Sequence, residues 1–392
     1  MSNFDKTSSF NHNFAKSNPN FLKGMFGATD LMPLWIADMD FEVAPPIKEA
    51  LQELVNRNRY AYEFHPENVF KAISNWNLKR HNLQLNSNAF IQVNGVLTGI
   101  AVLIKTLTKP GDGVMIHTPV YHQFFKVINA CERTVVSSPL KIENQHYKMD
   151  FDSMESHLKS AKVKLILLCN PHNPVGRVWT SEEITQLVQL ADKYHVTVIS
   201  DEIHSDIVYK GAKFNSIAAI DKNKNHIAII GSPAKTFGMQ SIANGYLYCP
   251  NRSKFKQIRA EVTAMYLDHG TVLSANATIA AYTKGEDWLE ELLIYLQQTL
   301  EWIEDFLKTE LPQIKLLKPE GTYQIWLDFS ALGFTDDELK HLIIHEAKLG
   351  LAYGDWFDPS YTQHMRMTFA SPLAHIQKAF FQLKEAINSK SP

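Results

Sequence analysis

The stretch SEEITQLVQLADKYHVTVISDEIH, residues 181–204, predicts an amphipathic helix that leads directly into a buried strand. Ser181 is the predicted N-cap of this helix, and Val196 opens the strand that ends at Asp201. One face of the helix carries apolar residues at helical spacing, namely Ile184, Leu187, Val188 and Ala191. With the apolar run Lys164–Cys169 before it, the stretch predicts a βαβ unit.

Outward from this unit, short β-rich runs alternate with helical patterns. The further runs are Gly113–His117, His226–Gly231 and Asn244–Cys249, and amphipathic helices are predicted at Pro45–Asn58 and Asn68–Arg80. Such alternation implies right-handed crossovers, so the sequence predicts an α/β fold with a mostly parallel sheet covered by helices.

A long amphipathic pattern from Glu286 to Thr309 leads away from the alternating region and into the β-like run Thr322–Leu327. We therefore predict a domain boundary near residue 285. Residues 46–285 form the predicted large domain and residues 286–392 a smaller α+β domain. Residues 1–45 are predicted to be an N-terminal arm that joins the small domain, with the first twenty residues loosely ordered.

Composition limits the classes of partner. The chain has 392 residues, 45% hydrophobic content and a formal charge of −2, so no strong field favours nucleic acid or an anionic membrane. No run approaches a membrane span, and the polar N-terminus has no apolar signal core. Three scattered cysteines indicate reduced thiols. These features favour a cytoplasmic protein that binds a small molecule.

Three predicted strands end in polar residues, namely Asn170, Asp201 and Ser232. In open α/β sheets such ends meet in one ligand pocket. Lys235 follows the third of them, and a lysine amine that forms a Schiff base with a carbonyl cofactor needs a carboxylate to keep a pyridine nitrogen protonated. With Asp201 as that carboxylate, the ordered set predicts a pyridoxal 5′-phosphate (PLP) site.

Each of several other residues has two possible interpretations, one as part of a ligand site and one as an ordinary structural residue. The helix opening Asn94–Thr98 offers backbone N–H groups to a phosphate, or is a plain helix start. Tyr121 stacks on a flat ring or packs in a core, and Asn173 donates to a phenolate oxygen or makes a turn. Ser232 donates to phosphate or merely ends a strand. Arg366 binds an α-carboxylate or lies on a solvated edge strand.

A metal site is not predicted. His341 and His345 stand four residues apart beside Glu346, but the order of residues that typifies zinc proteases is absent and the helix is amphipathic. We interpret them as surface histidines.

Together these residues resemble the fold-type I PLP-dependent enzymes of the class I/II aminotransferase superfamily, and within it the MalY/PatB-type cystathionine β-lyases, or C–S lyases. The resemblance covers nearly the whole chain. Its motifs are PLWIADMDF at 33–41, IHTPVY at 116–121, CNPHNPVG at 169–176, ISDEIH at 199–204, and Arg366.

The resemblance implies a role for each matching residue. Lys235 is then the Schiff-base lysine and Asp201 the pyridinium partner, with Asn173 at the ring hydroxyl oxygen and Tyr121 stacked on the ring. The phosphate is held by the Val96 and Leu97 amides and Ser232, with His204 also in the cofactor set. Arg366 and Asp38 are assigned to the substrate, and a homodimer is implied in which the partner subunit's Tyr62 reaches the phosphate.

Two positions depart from the superfamily pattern. Ala243 stands where most aminotransferases have an arginine eight residues after the lysine, which weakens phosphate binding, although the C–S lyase group often lacks it too. Thr368 stands where relatives commonly carry an asparagine, two positions after the arginine equivalent to Arg366.

The function implied is α,β-elimination from cystathionine or a related cysteine thioether, giving pyruvate, ammonia and a thiol. The main alternative is an aminotransferase that uses a 2-oxo acid acceptor. An alternative of another class is a PLP-binding regulator without turnover. The motifs leave the identity of the thioether open.

Overall fold

The helix and strand quoted above form as predicted, with a correction at the helix start. The computed structural model describes residues 3–6, 10–61, 63, 66–160, 162–220, 226–242 and 244–390. The N-cap is Thr180, not Ser181: the Thr180 hydroxyl accepts from the Glu183 N–H at 3.2 Å, and the Glu183 carboxylate accepts from the Thr180 N–H at 2.9 Å. This reciprocal capping box satisfies two backbone donors and therefore fixes the start at Thr180.

The α-helices follow in chain order. They are α1 Pro19–Phe26, α2 Pro45–Asn56, α3 Pro66–His81, α4 Val96–Leu107, α5 Gln123–Ala130, α6 Phe151–Lys159, α7 Ser181–Tyr194, α8 Ile217–Ile220, α9 Ala234–Phe237, α10 Arg252–Ala264, α11 Val272–Lys284, α12 Glu286–Glu310, α13 Asp336–His341 and α14 Leu373–Asn388. A π-helical turn, Leu342–Glu346, follows α13.

The strands are β1 Met32–Pro33, β2 Phe90–Val93, β3 Gly113–Ile116, β4 Thr134–Ser137, β5 Lys141–Glu143, β6 His146–Lys148, β7 Val163–Cys169, β8 Thr197–Asp201, β9 Ile227–Gly231, β10 Gly245–Tyr248, β11 Lys315–Leu316, β12 Gln324–Asp328, β13 Leu349–Gly350, β14 Ala352–Tyr353 and β15 His364–Thr368.

The main sheet has seven strands in the order β2-β10-β9-β8-β7-β3-β4. Strands β9, β8, β7, β3 and β4 are parallel, while β10 is antiparallel to both of its neighbours. The predicted α/β fold with a mostly parallel sheet is confirmed. Helix α4 packs on this sheet through buried aliphatic residues such as Ile100 and Leu103, which lie in one apolar core with Ile199 and Ile230.

The chain forms two compact units. The large unit contains residues 43–173 and 177–290, and the small unit contains residues 1–42, 174–176 and 291–392. The small unit has a four-stranded antiparallel sheet, β11-β12-β15-β14, and a parallel pair, β1 with β13. The domain limits drawn from the sequence at residues 45 and 285 stay a prediction.

The loosely ordered start stays a prediction, although a few of the described residues among the first twenty are buried. Phe4 is 2% exposed and packs edge-on against Phe41, with ring centroids 5.0 Å apart. Lys16 is also buried, and α1 begins at Pro19 behind the side-chain cap of Asn18. The polar composition of this segment does not reveal that Phe4 and Lys16 contact residues far away in the sequence.

Candidate active site

Lys235 and Asp201 lie at the ends of two neighbouring strands of the large unit. Asp201 ends β8, and its register partner on β9 is Ile230. Lys235 lies in α9, the short helix that follows β9. Burial raises the pKa of Asp201 to about 7, while the Ile203 N–H at 3.2 Å and the positive charge of Lys235 act in the opposite direction. Lys235 therefore lies close enough to interact electrostatically with Asp201.

This carboxyl group suits a cationic partner. Asp201 is only 4% exposed, so its charged form is disfavoured unless a positive group compensates for the lost water. A protonated ring nitrogen beside Asp201 would supply that charge, and the Lys235 amine interacts electrostatically with the same carboxyl group. The residues at this position thus fit the cofactor predicted from the sequence.

The loop after β7 folds back against the same edge of the sheet. The Asn170 N–H donates to the Asp201 carbonyl at 2.9 Å, and the Asn173 N–H donates to the Cys169 sulfur at 3.5 Å. Asn173 is 4% exposed, so this turn holds its amide beside the strand end that neighbours Asp201.

Tyr121 follows β3, the next strand of the sheet. Its ring is half-buried and makes an edge contact with Phe124, with centroids 5.9 Å apart. The Pro119 carbonyl is hydrogen-bonded to His172 Nε2 at 2.8 Å, which links the loops after β3 and β7. The strand order β9-β8-β7-β3 therefore brings the elements that carry Lys235, Asp201, Asn173 and Tyr121 to one edge.

The start of α4 lies at this edge too. Strand β2 is antiparallel to β10, which is antiparallel to β9, so β2 runs in the same direction as β9. Helix α4 begins at Val96 after Gly95, and no side chain caps it. The N–H groups of its first turn, including those of Val96 and Leu97, therefore suit an anion.

Two further predicted cofactor residues have structural contacts. The Ser232 hydroxyl donates to the Asn244 carbonyl at 2.9 Å and accepts from the Ala234 N–H at 3.2 Å, so it braces the start of α9. Its role at the phosphate stays a prediction. His204 is 3% exposed in the turn after β8. Tyr62 and Ala243 lie outside the described residues.

The predicted substrate residues belong to the small unit. Arg366 is 3% exposed on β15, its NH2 group donates to the Trp35 carbonyl at 2.5 Å, and its guanidinium lies 4.9 Å from the centre of the Phe357 ring. It is therefore not a solvated edge-strand residue. The Asp38 carbonyl accepts from Lys16 Nζ at 2.9 Å.

The sequence interpretation missed Asp206. This carboxylate is 3% exposed and accepts from Trp76 Nε1 at 3.0 Å and from the Thr236 hydroxyl at 2.8 Å. Burial favours its neutral form, but His81 and Arg80 outweigh that effect and hold the pKa of Asp206 below its ordinary value. Asp206 thus ties α9, which carries Lys235, to α3. Its partners lie far away in the sequence, so no local pattern indicated this role.

Among the residues that the structure describes, no cluster of three or more histidine, cysteine or acidic side chains is arranged for a metal ion. The His341 imidazole is 60% exposed and lies 3.6 Å from Glu346. Over all the residues that the structure describes, no helix combines the length and apolar character needed to cross a membrane.

The chain belongs to the aminotransferase class I and II family, whose model matches residues 29–380. It is 34% identical to cystathionine beta-lyase PatB of Bacillus subtilis over 93% of this chain and 94% of the relative. It is 30% identical to protein MalY of Escherichia coli, over 94% and 95% respectively.

A solved structure shares the fold. The PLP-bound C–S lyase from Staphylococcus hominis superposes with a TM-score of 0.90 at 28% identity, covering 99% of this chain and 98% of that one. The resemblance inferred from the motifs is therefore confirmed.

Proposed function

We propose that the protein is a PLP-dependent C–S β-lyase that acts on cystathionine or a related cysteine thioether. Each turnover consumes the thioether and water and releases pyruvate, ammonia and a thiol. The observation that carries the proposal is the buried carboxyl of Asp201 beside Lys235 at the carboxyl edge of the sheet. The similarity to PatB, a cystathionine beta-lyase, and to a PLP-bound C–S lyase supports the choice of reaction.

When bound, PLP supplies an electron sink that makes the Cα proton of an amino acid acidic. The Asp201 carboxylate holds the proton on the ring nitrogen, which keeps that sink effective. The Lys235 amine, freed once the substrate's amino group has taken its place, would take the Cα proton. Loss of this proton allows the thiolate on Cβ to leave.

The other predicted residues bind and orient. In this proposal the first turn of α4 holds the phosphate through the Val96 and Leu97 amides, together with Ser232. Tyr121, Asn173 and His204 would contact the cofactor ring. The guanidinium of Arg366 binds the substrate carboxylate, with Asp38 in the same substrate set. Asn173, His204 and Arg366 are buried, which restricts their rotamers and suits such positioning.

A continuous assay tests the reaction. Holoenzyme is incubated with L-cystathionine and no 2-oxo acid, and pyruvate and free thiol are followed. We expect both to accumulate in equal amounts over many turnovers. L-Methionine is the matched control, because its sulfur is on Cγ and β-elimination cannot release a thiol from it.

The family match also supports a second function, transamination. An aminotransferase without an acceptor stops after one half-reaction, so at most one equivalent of product per site would form. That result, followed by turnover when a 2-oxo acid is added, would replace the lyase proposal. A cofactor spectrum unchanged by any amino acid would instead favour a regulator without turnover.

We also propose a homodimer in the cytoplasm, in which the partner subunit's Tyr62 reaches the phosphate. Mixing two inactive variants, Lys235→Ala and Tyr62→Ala, tests this arrangement. Subunit exchange would create mixed dimers with one intact site, so activity should recover to about a quarter of the native value. No recovery after exchange would contradict a shared site.

A further inference from the structure

Lys16 is a buried lysine whose ammonium group donates two hydrogen bonds. It is 3% exposed, and its Nζ donates to Asp40 Oδ2 at 2.8 Å and to the Asp38 carbonyl at 2.9 Å. Its own carbonyl accepts from Trp35 Nε1 at 2.9 Å. Lys16 thus contacts both ends of the segment Trp35–Asp40. This segment is the WIADMD part of the motif PLWIADMDF at 33–41.

The same segment lies along the strand that carries Arg366. The Leu34 carbonyl accepts from the Thr368 N–H at 2.8 Å, and the Asp40 N–H donates to the Ala370 carbonyl at 2.9 Å. Between these two anchors, the Trp35 carbonyl accepts from the Arg366 guanidinium at 2.5 Å. The position of the Trp35 carbonyl therefore affects the orientation of Arg366.

Charge explains why Lys16 matters to this arrangement. A buried ammonium group is tolerated only when anions and carbonyl dipoles replace its water, and here Asp40 and the Asp38 carbonyl do so. A neutral side chain at position 16 would leave the Asp40 carboxylate, which is 19% exposed, without this partner. The carboxylate would then turn toward water, and the segment would lose an anchor.

We propose that Lys16 is a positioning residue for recognition of the substrate's α-carboxylate. It fixes the segment Trp35–Asp40, whose Trp35 carbonyl orients the guanidinium of Arg366. The inference rests on the proposed function, in which Arg366 binds that carboxylate. Lys16 itself does not touch the substrate.

Ligand binding to holoenzyme tests the role without turnover. The absorbance of the bound cofactor is titrated with L-alanine, which has no leaving group on Cβ, and with L-alaninamide, which lacks the carboxylate charge. In Lys16→Met we expect the apparent Kd for L-alanine to rise about tenfold, or about 1.4 kcal/mol, and that for L-alaninamide to stay within about twofold. Lys16→Arg should keep most of the affinity for L-alanine, and Lys23→Met, an exposed site in α1, should match the native protein.

The outcomes separate this inference from the proposed function. Arg366→Met should also lose affinity for L-alanine only; if it weakens neither ligand, the assignment of Arg366 itself fails. If Arg366→Met discriminates between the ligands but Lys16→Met does not, the role of Lys16 is overturned. Equal weakening of both ligands in Lys16→Met would mark a general structural role and also overturn it.

If Lys16→Met does not fold, Asp40→Asn provides the second variant, because it removes the charge that pairs with Lys16 and leaves the lysine in place. It should show the same selective loss for L-alanine. Equal or absent effects on the two ligands would again overturn the inference.

Discussion

Asp201 lies in a setting where its charge depends on a cationic partner. Its folded pKa of about 7 exceeds its ordinary value of 3.8, so in the apoprotein its stabilising contribution is complete below about pH 4 and is lost as pH rises through 7. For Asp201→Asn, which has no such titration, the apoprotein should therefore gain stability relative to native protein by up to about 4 kcal/mol between pH 4 and pH 7. Urea unfolding at several pH values measures the difference.

The holoenzyme provides the control for that prediction. A bound cationic ring nitrogen should pair with the Asp201 carboxylate, so added PLP should raise the Tm of native protein at pH 7 more than that of Asp201→Asn. Pyruvate release by Asp201→Asn should fall at least about a hundredfold, since the electron sink loses its proton. Equal Tm gains in the two proteins would contradict the pairing.

Lys235 is the proposed base and cofactor-binding amine. Lys235→Ala should abolish pyruvate release from cystathionine, because no other amine is assigned to the Cα proton. Lys210→Ala, an exposed lysine of the same unit, should retain native turnover. An unchanged rate in Lys235→Ala would refute the assignment.

Among individual residues, the sequence allowed the prediction of those that lie in motifs following predicted strands. Lys235 and Asp201 were predicted because chemistry and strand ends coincide along the chain. Lys16 and Asp206 were missed because their partners are distant: Lys16 meets residues 38 and 40, and Asp206 meets residues 76, 81 and 236. A polar residue in a polar stretch gives no local sign of such burial.

At the scale of elements, helix α7 allows a direct comparison of two adjacent hydroxyl residues. Thr180→Ala should lower the free energy of unfolding by about 1 kcal/mol, because it removes the acceptor for the Glu183 N–H. Ser181→Ala lies inside the helix and should change it by less than about 0.5 kcal/mol. Chemical denaturation of both variants measures this difference, and a larger effect at Ser181 would contradict the observed cap.

Helix α9 depends on a buried hydrogen bond next to Lys235. Thr236→Val keeps the side-chain shape but removes the donor to Asp206, so we expect a loss of about 1–3 kcal/mol in unfolding free energy and a lower kcat. Thr283→Val, whose hydroxyl bonds to the Ile279 carbonyl at an exposed site, is the matched control. Native kcat in Thr236→Val would show that Asp206 does not help to place Lys235.

Local pattern predicted most elements but not every direction or end. Helical spacing predicted α7 and α12 to within a few residues. The antiparallel direction of β10 was not predictable, because an apolar run has the same pattern in either direction. The capping box was visible as Thr180-x-x-Glu183, a spacing that favours Thr180 over Ser181 and could have corrected the predicted start.

At the scale of the whole molecule, the three residues 174–176 belong to the small unit although the large unit flanks them in sequence. Gly176 has φ +71°, and its carbonyl accepts from the Glu320 and Gly321 N–H groups. A Cβ at Gly176 would lie 2.3 Å from the Pro319 Cβ. Gly176→Ala should therefore destabilise the protein by several kcal/mol, since steric overlap adds to backbone strain.

Gly333 isolates the backbone strain from the steric part of that effect. It has the same φ of +71°, but a Cβ there would meet nothing within 4 Å. Gly333→Ala should cost only the strain, about 1–2 kcal/mol. Thermal unfolding of the two variants measures the difference, and equal losses would mean that the contact with Pro319 relaxes freely.

The composition of the small unit affects how the chain emerges during synthesis. Residues 1–42 are synthesised before the large unit, but most of their own unit begins at residue 291. At typical elongation rates the interval is roughly ten to fifty seconds. Throughout this interval Phe4 lacks Tyr295, one of the rings it packs against, and the segment Trp35–Asp40 lacks its contact with Arg366. Residues 1–42 can therefore complete their packing only after the rest of their unit has been synthesised.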